Sequence, residues 1–286
     1  MASFGLSLCA TFKPKNMKDI LSKIKMLEKV SYGLGLNEAL TEFHQDFSTS
    51  LVKGRNVMAG TARAWGLQFG KLGKALESDP VYQASFKLGN EETLLLPVYL
   101  QNLFLILKYG IKNRAGDIVE FGSYRCGTAI FLAKVAQELG YTGTIYALDT
   151  FEGIPKANEV IDFHLRGDFR ELSFEALGEV IRELGLTNLV LVKGFFEETL
   201  PKLLPTMKKV VLAHIDCDVE ASTRYAILAI EKQMDAQGYM VIDDVAAPSC
   251  LGVMQAVEET LQKRGFHAEQ AYPHFVYRVP KLSTEG

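Results

Sequence analysis

From Gly116 onward the chain repeats a single unit: a short apolar run, a turn, then a stretch with helical spacing. The apolar runs are Asp117–Phe121, Thr144–Leu148, Leu189–Lys193, Val210–Ile215 and Tyr239–Ile242. Between and after them lie helical patterns at Thr128–Leu139, Phe174–Leu184, Glu197–Leu204, Thr223–Met234 and Val253–Arg264. Phe266–Gln270 and Phe275–Val279 read as a closing pair of strands. Strands separated by whole helices cannot join as hairpins, so they pair in parallel through right-handed crossovers. The expected fold is α/β: a doubly wound, mainly parallel sheet of seven strands whose carboxyl ends carry the site.

Ahead of this region the spacing is helical. Met17–Tyr32, Leu36–Ser48 and Val57–Leu76 are read as helices, and Glu91–Tyr109 as one long buried helix, with breaks at Ser78-Asp79-Pro80 and Lys87–Asn90. The chain therefore divides into an N-terminal helical extension, 1–112, and a catalytic domain, 113–286. The extension is expected to be a lid, a dimer contact making a homo-oligomer, or both.

Composition narrows the function. A net charge of −3 over 286 residues, without a basic stripe, argues against nucleic acid as partner. Met1–Phe12 is mildly apolar but ended by Lys13 and Lys15, too short to span a membrane and poor as a signal peptide. Four scattered cysteines without a CxxC pair suggest neither a zinc site nor a disulfide framework, and point to the cytoplasm.

Two acidic clusters close buried runs: His214-Ile215-Asp216-Cys217-Asp218 and Tyr239-Met240-Val241-Ile242-Asp243-Asp244. Alternation puts Asp216 and Asp218 on one face and Cys217 on the other. Parallel strands lie about 4.8 Å apart, so Asp243 or Asp244 can share a hard divalent cation with Asp216. The competing reading is that these carboxylates cap the helices that follow. Upstream, Glu120-Phe121-Gly122-Ser123-Tyr124-Arg125-Cys126-Gly127-Thr128 turns a strand into a helix whose N-terminus suits an anionic group. It is not the dinucleotide fingerprint, because the second glycine is missing. Asp149 ends the next strand, placed to take both hydroxyls of a ribose, and Gly194 ends the third, where it can lie against an adenine. The three strand ends together outline an adenosine pocket.

With these five motifs in order, including Gly194-Phe195-Phe196-Glu197-Glu198-Thr199-Leu200-Pro201 and Ser222-Thr223, the chain resembles class I S-adenosylmethionine methyltransferases. Within them it is similar to the macrocin/mycinamicin-type sugar O-methyltransferases of antibiotic pathways, over roughly residues 90–280. The resemblance implies a Rossmann-like methyltransferase sheet binding S-adenosyl-L-methionine. Glu120, Gly122, Ser123, Tyr124, Gly127 and Thr128 would then hold the methionine part, Asp149 the ribose, and Gly194 and Phe195 the adenine. It implies magnesium on Asp216, Asp243 and Asp244, with Asp216 also beside the cofactor, and Asp218 as the general base. The acceptor would be a hydroxyl of a small natural product, a sugar or a polyketide-like molecule. A carboxylate, nitrogen or carbon acceptor without metal, or a non-methylating homologue, are the alternatives. The sequence departs from the family pattern at Cys126, at Val219-Glu220 and at Val245, changes that bear on the acceptor.

Other residues carry weaker signals. His214 shares a strand face with Asp216, either as a ligand or as a packed histidine. His274, in Tyr272-Pro273-His274-Phe275, is an alternative catalytic base. Cys126 and Cys217 read as small packed residues, and Trp65 with Phe69 as lid core.

Overall fold

The structure, a computed structural model, describes residues 75–170, 173–247, 249–266, 268–271 and 273–280. The expected helices at 17–32 and 36–48, nearly all of that at 57–76, and the Trp65/Phe69 pair lie outside the described residues. In chain order the elements are α1 (Pro80–Gly89), α2 (Pro97–Leu105) continuing into a π-helical turn (Ile106–Ile111), β1 (Asp117–Phe121), α3 (Gly127–Glu138), β2 (Ile145–Asp149), α4 (Phe174–Glu183) and β3 (Leu189–Lys193). Then follow α5 (Phe196–Leu203), β4 (Val210–Ile215), α6 (Glu220–Ile230), β5 (Met234–Ile242), α7 (Leu251–Thr260) and β6 (Phe275–Arg278).

The sheet runs β3-β2-β1-β4-β5-β6, with every pairing parallel except the last. The expected doubly wound, mainly parallel sheet is therefore present, and chain order reverses between β1 and β4. Among the described residues it has six strands. The seventh expected at Phe266–Gln270 is reduced to one isolated bridge, Gln270 to Val276.

Strand alternation sorts the core into two layers. Ile118, Leu212, Val241 and Val276 face one side, where they pack with Leu100, Phe104, Ile130 and Leu177 from α2, α3 and α4. Val119, Phe121, Ile215, Ile242 and Phe275 face the other, packing with Leu200, Ile227, Val253 and Val257 from α5, α6 and α7. Burying each such side chain stabilises the fold by roughly 1.5–3 kcal/mol against conformational entropy of similar total size. β1 and β4 are buried at every residue, as central parallel strands must be.

Two local readings are corrected. Ser78-Asp79-Pro80 is a helix start rather than a break: Asp79 caps α1 by accepting from the Val81 and Tyr82 amides, with Pro80 in the first turn. The long helix expected from Glu91 begins only at Pro97, because proline holds Leu96 extended (ψ 154°) and cannot donate to a preceding turn. Together α1 and α2 cover the sheet face beside α3, and the contact is close. A Cβ on Gly127 would lie 2.2 Å from the Thr93 amide and 2.7 Å from the Gly89 carbonyl.

Candidate active site

The carboxyl ends of β1, β2, β4 and β5 bring six carboxylates to one edge of the sheet: Glu120, Asp149, Asp216, Asp218, Asp243 and Asp244. Among the described residues, the ion pairs at these six are all to histidines. Backbone strain collects at the same edge. Tyr124, Cys126, Phe151, Asp218 and Asp244 all have positive φ, between 46° and 62°. Each such non-glycine residue costs about 1–3 kcal/mol and persists where the surroundings impose it, commonly at functional sites.

On the β1–β2 side the groups are already engaged. Asp149 accepts from the Tyr124 amide at 2.9 Å and the Phe151 amide at 2.7 Å, clasping both turns. Burial raises its pKa, although these donors oppose the shift. The Thr150 hydroxyl adds a longer donor at 3.4 Å. Gly122, at φ +81°, lets β1 turn under β4; a Cβ there would stand 1.7 Å from the Asp216 carbonyl. Gly194 sits at φ +135°, where L side chains rarely go. Phe195 is half-exposed beside it. Ser123 Oγ and one oxygen of Glu120 are sealed from solvent without a partner, an unmet need for a polar ligand beneath the turn. Gly127 and Thr128 serve another contact: Gly127 lies against residues 89–93, and Thr128 bonds Thr93 through its hydroxyl at 2.8 Å.

On the β4–β5 side the carboxylates crowd one another. Oxygens of Asp216, Asp218 and Asp244 lie within 4.8 Å of each other, close enough to share one ion. That trio differs from the set implied by the resemblance, in which Asp243 replaces Asp218. Asp243 is nevertheless the like charge acting most strongly on Asp216. Burial first, and then these neighbours, hold Asp216 and Asp243 well above the usual carboxylate range. Asp218 is pushed up to about 6 by burial, and Asp244 to about 7 by burial and Asp218. Four crowded oxygen-donor acids, Asp243 buried and the other three half-buried, with no Lys or Arg ion pair among the described residues, match a hard divalent cation in chemistry.

The histidines divide between depth and surface. His214 is fully buried and holds Glu120 through Nδ1 at 3.0 Å. His274 is also fully buried; its Nδ1 meets the Asn102 amide at 3.0 Å, and its Nε2 stands 4.0 Å from Asp243. Burial and then His214 drive its pKa well below 6.5. Sealed in this way, His274 does not face an incoming acceptor. His164 escaped the sequence reading. It lies in the loop between β2 and α4, with Nε2 3.9 Å from Asp218 and Nδ1 3.8 Å from Asp168. The loop is pinned by buried Asp162, which accepts from the Glu220 amide at 3.0 Å and the Asn158 amide at 2.7 Å. The only signal available was the length of that loop, since long ordered loops are commonly functional. Buried Cys250, 4.0 Å from Asp218, was likewise unsignalled.

Comparison with known proteins identifies the family and the fold. A family model described as macrocin-O-methyltransferase (TylF) matches residues 100–271. The 8-demethyl-8-(2,3-dimethoxy-alpha-L-rhamnosyl)-tetracenomycin-C 4'-O-methyltransferase of Streptomyces olivaceus is 28% identical over 145 residues, 47% of this chain and 55% of that protein. The match thus spans about half the length of that relative. Among solved structures, the O-methyltransferase NovP superposes with a TM-score of 0.59 at 20% identity, covering 70% of this chain and 89% of that one. CalS11, a calicheamicin methyltransferase, gives 0.57 at 20% identity, covering 81% and 96%. These two share the fold, a Rossmann-like methyltransferase sheet. With the family model matching more than half of its length, the chain belongs to the macrocin-O-methyltransferase family.

Proposed function

We propose that this protein is a magnesium-dependent O-methyltransferase that transfers the methyl group of S-adenosyl-L-methionine to a sugar hydroxyl of a small natural product. The observation that carries this reading is the edge of six carboxylates whose only ion-pair partners among the described residues are histidines. Such a site calls for cationic ligands, and a sulfonium cofactor together with a divalent ion supplies them. The tetracenomycin relative is named as a 4'-O-methyltransferase of a rhamnosylated polyketide, which favours a glycosylated acceptor here.

In this reading Asp149 takes the ribose, Gly194 and Phe195 border the adenine, and Glu120 and Ser123 offer their unmet polar atoms to the methionine end. Asp216, Asp243 and Asp244 would hold the ion, which would supply the positive charge that makes a nearby hydroxyl more acidic. Asp218, on the outer side of the cluster beside His164, is left to take the proton. The chain's own contribution is to bring hydroxyl and sulfur-bound methyl into line, an effect of geometry rather than of covalent catalysis. The N-terminal helices would make the homo-oligomer contact. No helix among the described residues is long and apolar enough to cross a membrane. We place the protein in the cytoplasm, in keeping with free thiols at Cys126, Cys217 and Cys250.

Two measurements test the reading. Calorimetry should show S-adenosylhomocysteine binding; silence there removes the methyltransferase function. Mass spectrometry of a panel of glycosylated polyketides should show a gain of one methyl that chelator abolishes. Methylation that survives chelator would leave a metal-free transferase.

A further inference from the structure

The deepest polar cluster on the α2 side of the sheet joins two acids of the proposed site, Glu120 and Asp243, to His214, His274 and Asn102, to which the reaction as described gives no role. Glu120 is 1% exposed, His214 and His274 0%, and Asp243 and Asn102 4%. The first four reach one face by strand alternation, and the antiparallel register of β5 and β6, Ile242 opposite Phe275, sets His274 opposite Asp243. Four of their atoms have no partner: Glu120 Oε2, His214 Nε2, His274 Nε2 and Asp243 Oδ1. The last two of these face each other at 4.0 Å.

The assigned amide orientations give the hydrogen bonds along one side of this cluster a single direction. Gln270 Nε2 donates to Asn102 Oδ1 at 3.1 Å, which makes that atom the acceptor and turns the Asn102 amide NH2 toward His274. At 3.0 Å this NH2 donates to His274 Nδ1, which must then be an unprotonated acceptor. A neutral imidazole whose Nδ1 accepts carries its proton on Nε2. The Tyr99 ring, edge-on at 4.9 Å, and the His214 ring, at 5.5 Å, keep the His274 ring from turning over. The Nε2–H therefore points at Asp243 Oδ1, an unpartnered oxygen 4.0 Å away among the described residues. A small rotation of that carboxylate brings the pair into hydrogen-bond range.

We propose that His274 is a positioning residue for Asp243: Gln270 and Asn102 select its Nε2–H tautomer, and this donor turns the second oxygen of Asp243 toward the metal. The proposal rests on the reading of Asp243 as an ion ligand, and it replaces the role of His274 as a base. Outer partners of this kind orient metal-binding carboxylates, and their loss typically weakens metal binding 10–100-fold.

The test uses two near-isosteric variants of the full chain, with Mn2+ as the spectroscopic probe. Glutamine places its amide near the Nε2 position and asparagine near Nδ1. By electron paramagnetic resonance, His274→Gln should keep the Mn2+ Kd within about threefold of the parent, and His274→Asn should raise it about tenfold or more. Calorimetry with S-adenosylhomocysteine should find both variants within about twofold of the parent, because Glu120, the cluster's acid on the cofactor side, is held by His214 and not by His274. Equal Mn2+ affinities for the two variants, or parallel loss of Mn2+ and S-adenosylhomocysteine binding, overturn the proposal. Nitrogen-15 spectra of the histidine-labelled parent provide a check independent of variant folding, since an Nδ1–H tautomer at His274 also overturns it. A parent protein that binds S-adenosylhomocysteine but no Mn2+ would remove the metal reading itself, and the proposal with it. A parent with intact Mn2+ affinity and equal variants removes the proposal alone.

Discussion

The two halves of the sheet edge treat their carboxylates in opposite ways. At the β1–β2 end, Asp149 is clasped by the Tyr124 and Phe151 amides, so backbone donors hold its charge before any ligand arrives. At the β4–β5 end, Asp216, Asp218, Asp243 and Asp244 are crowded against like charges, which add to burial in raising their pKa values, whereas the donors at Asp149 oppose the rise that burial causes. One end is organised by its own main chain, and the other gathers acids that repel one another when ionised. The β1–β2 end, which we assign to the nucleoside, is consequently built from turns, which glycines and backbone amides can specify locally. The β4–β5 end, which we assign to the metal, is built from side chains whose charges are compatible only when protons or a cation join them.

The seam between the halves is the most sensitive point of this contrast. Gly122→Ala would force a Cβ to 1.7 Å from the Asp216 carbonyl at φ +81°, and should damage both ends at once. We expect a loss above ~4 kcal/mol, in the range of the most destabilising single substitutions, seen as absence of a cooperative thermal transition. A normally melting variant would mean that the seam is softer than this geometry allows.

Within the metal end, Asp218→Asn separates base from ligand. If Asp218 takes the proton, kcat should fall by about 10²–10⁴ while Mn2+ affinity stays near the parent value. The reverse pattern, with Mn2+ binding lost in Asp218→Asn and kept in Asp243→Asn, would assign the ion to the trio that lies within 4.8 Å.

At the nucleoside end, Asp149→Asn turns an NH2 toward one of two backbone amides. It should cost about 1–3 kcal/mol of stability, read by denaturant titration, and weaken S-adenosylhomocysteine. An unchanged midpoint would show that the clasp carries no strain-bearing role.

The smallest effect is a pH dependence with a definite sign. Asp218 and Asp244 titrate at about 6 and about 7 in the folded chain, above the ordinary 3.8. The folded state therefore binds these protons more tightly than the unfolded state, so their contribution is full below the unfolded pKa and lost as pH rises through the folded values. Without metal, Tm should fall by several degrees between about pH 5 and pH 8, and millimolar Mg2+ should restore it at the upper pH. A flat profile, or one that rises, would contradict the crowding of charge at this end.

Much of this molecule is legible from residue order. Period-2 alternation separates Ile118 from Val119 and Leu212 from Ala213, and so both the two layers and the shared face of Glu120 and His214 follow from the strands alone. The turn at Gly122, the acid at Asp149 and the two aspartate pairs announce a strand-edge site by position. What stayed hidden depends on contacts distant in sequence. Gly127 reads as a cofactor glycine, yet it lies where residues 89–93 cross it. His274 reads as a spare base, until Asn102, from a helix far upstream, claims its ring nitrogen. His164 approaches Asp218 only because buried Asp162 pins its loop to the start of α6. Local periodicity determined the sheet, its layers and the acids at its edge, because burial repeats with the geometry of the backbone. Only the tertiary structure decided which acids meet and which histidine faces which oxygen, because those pairings join side chains that no local pattern relates.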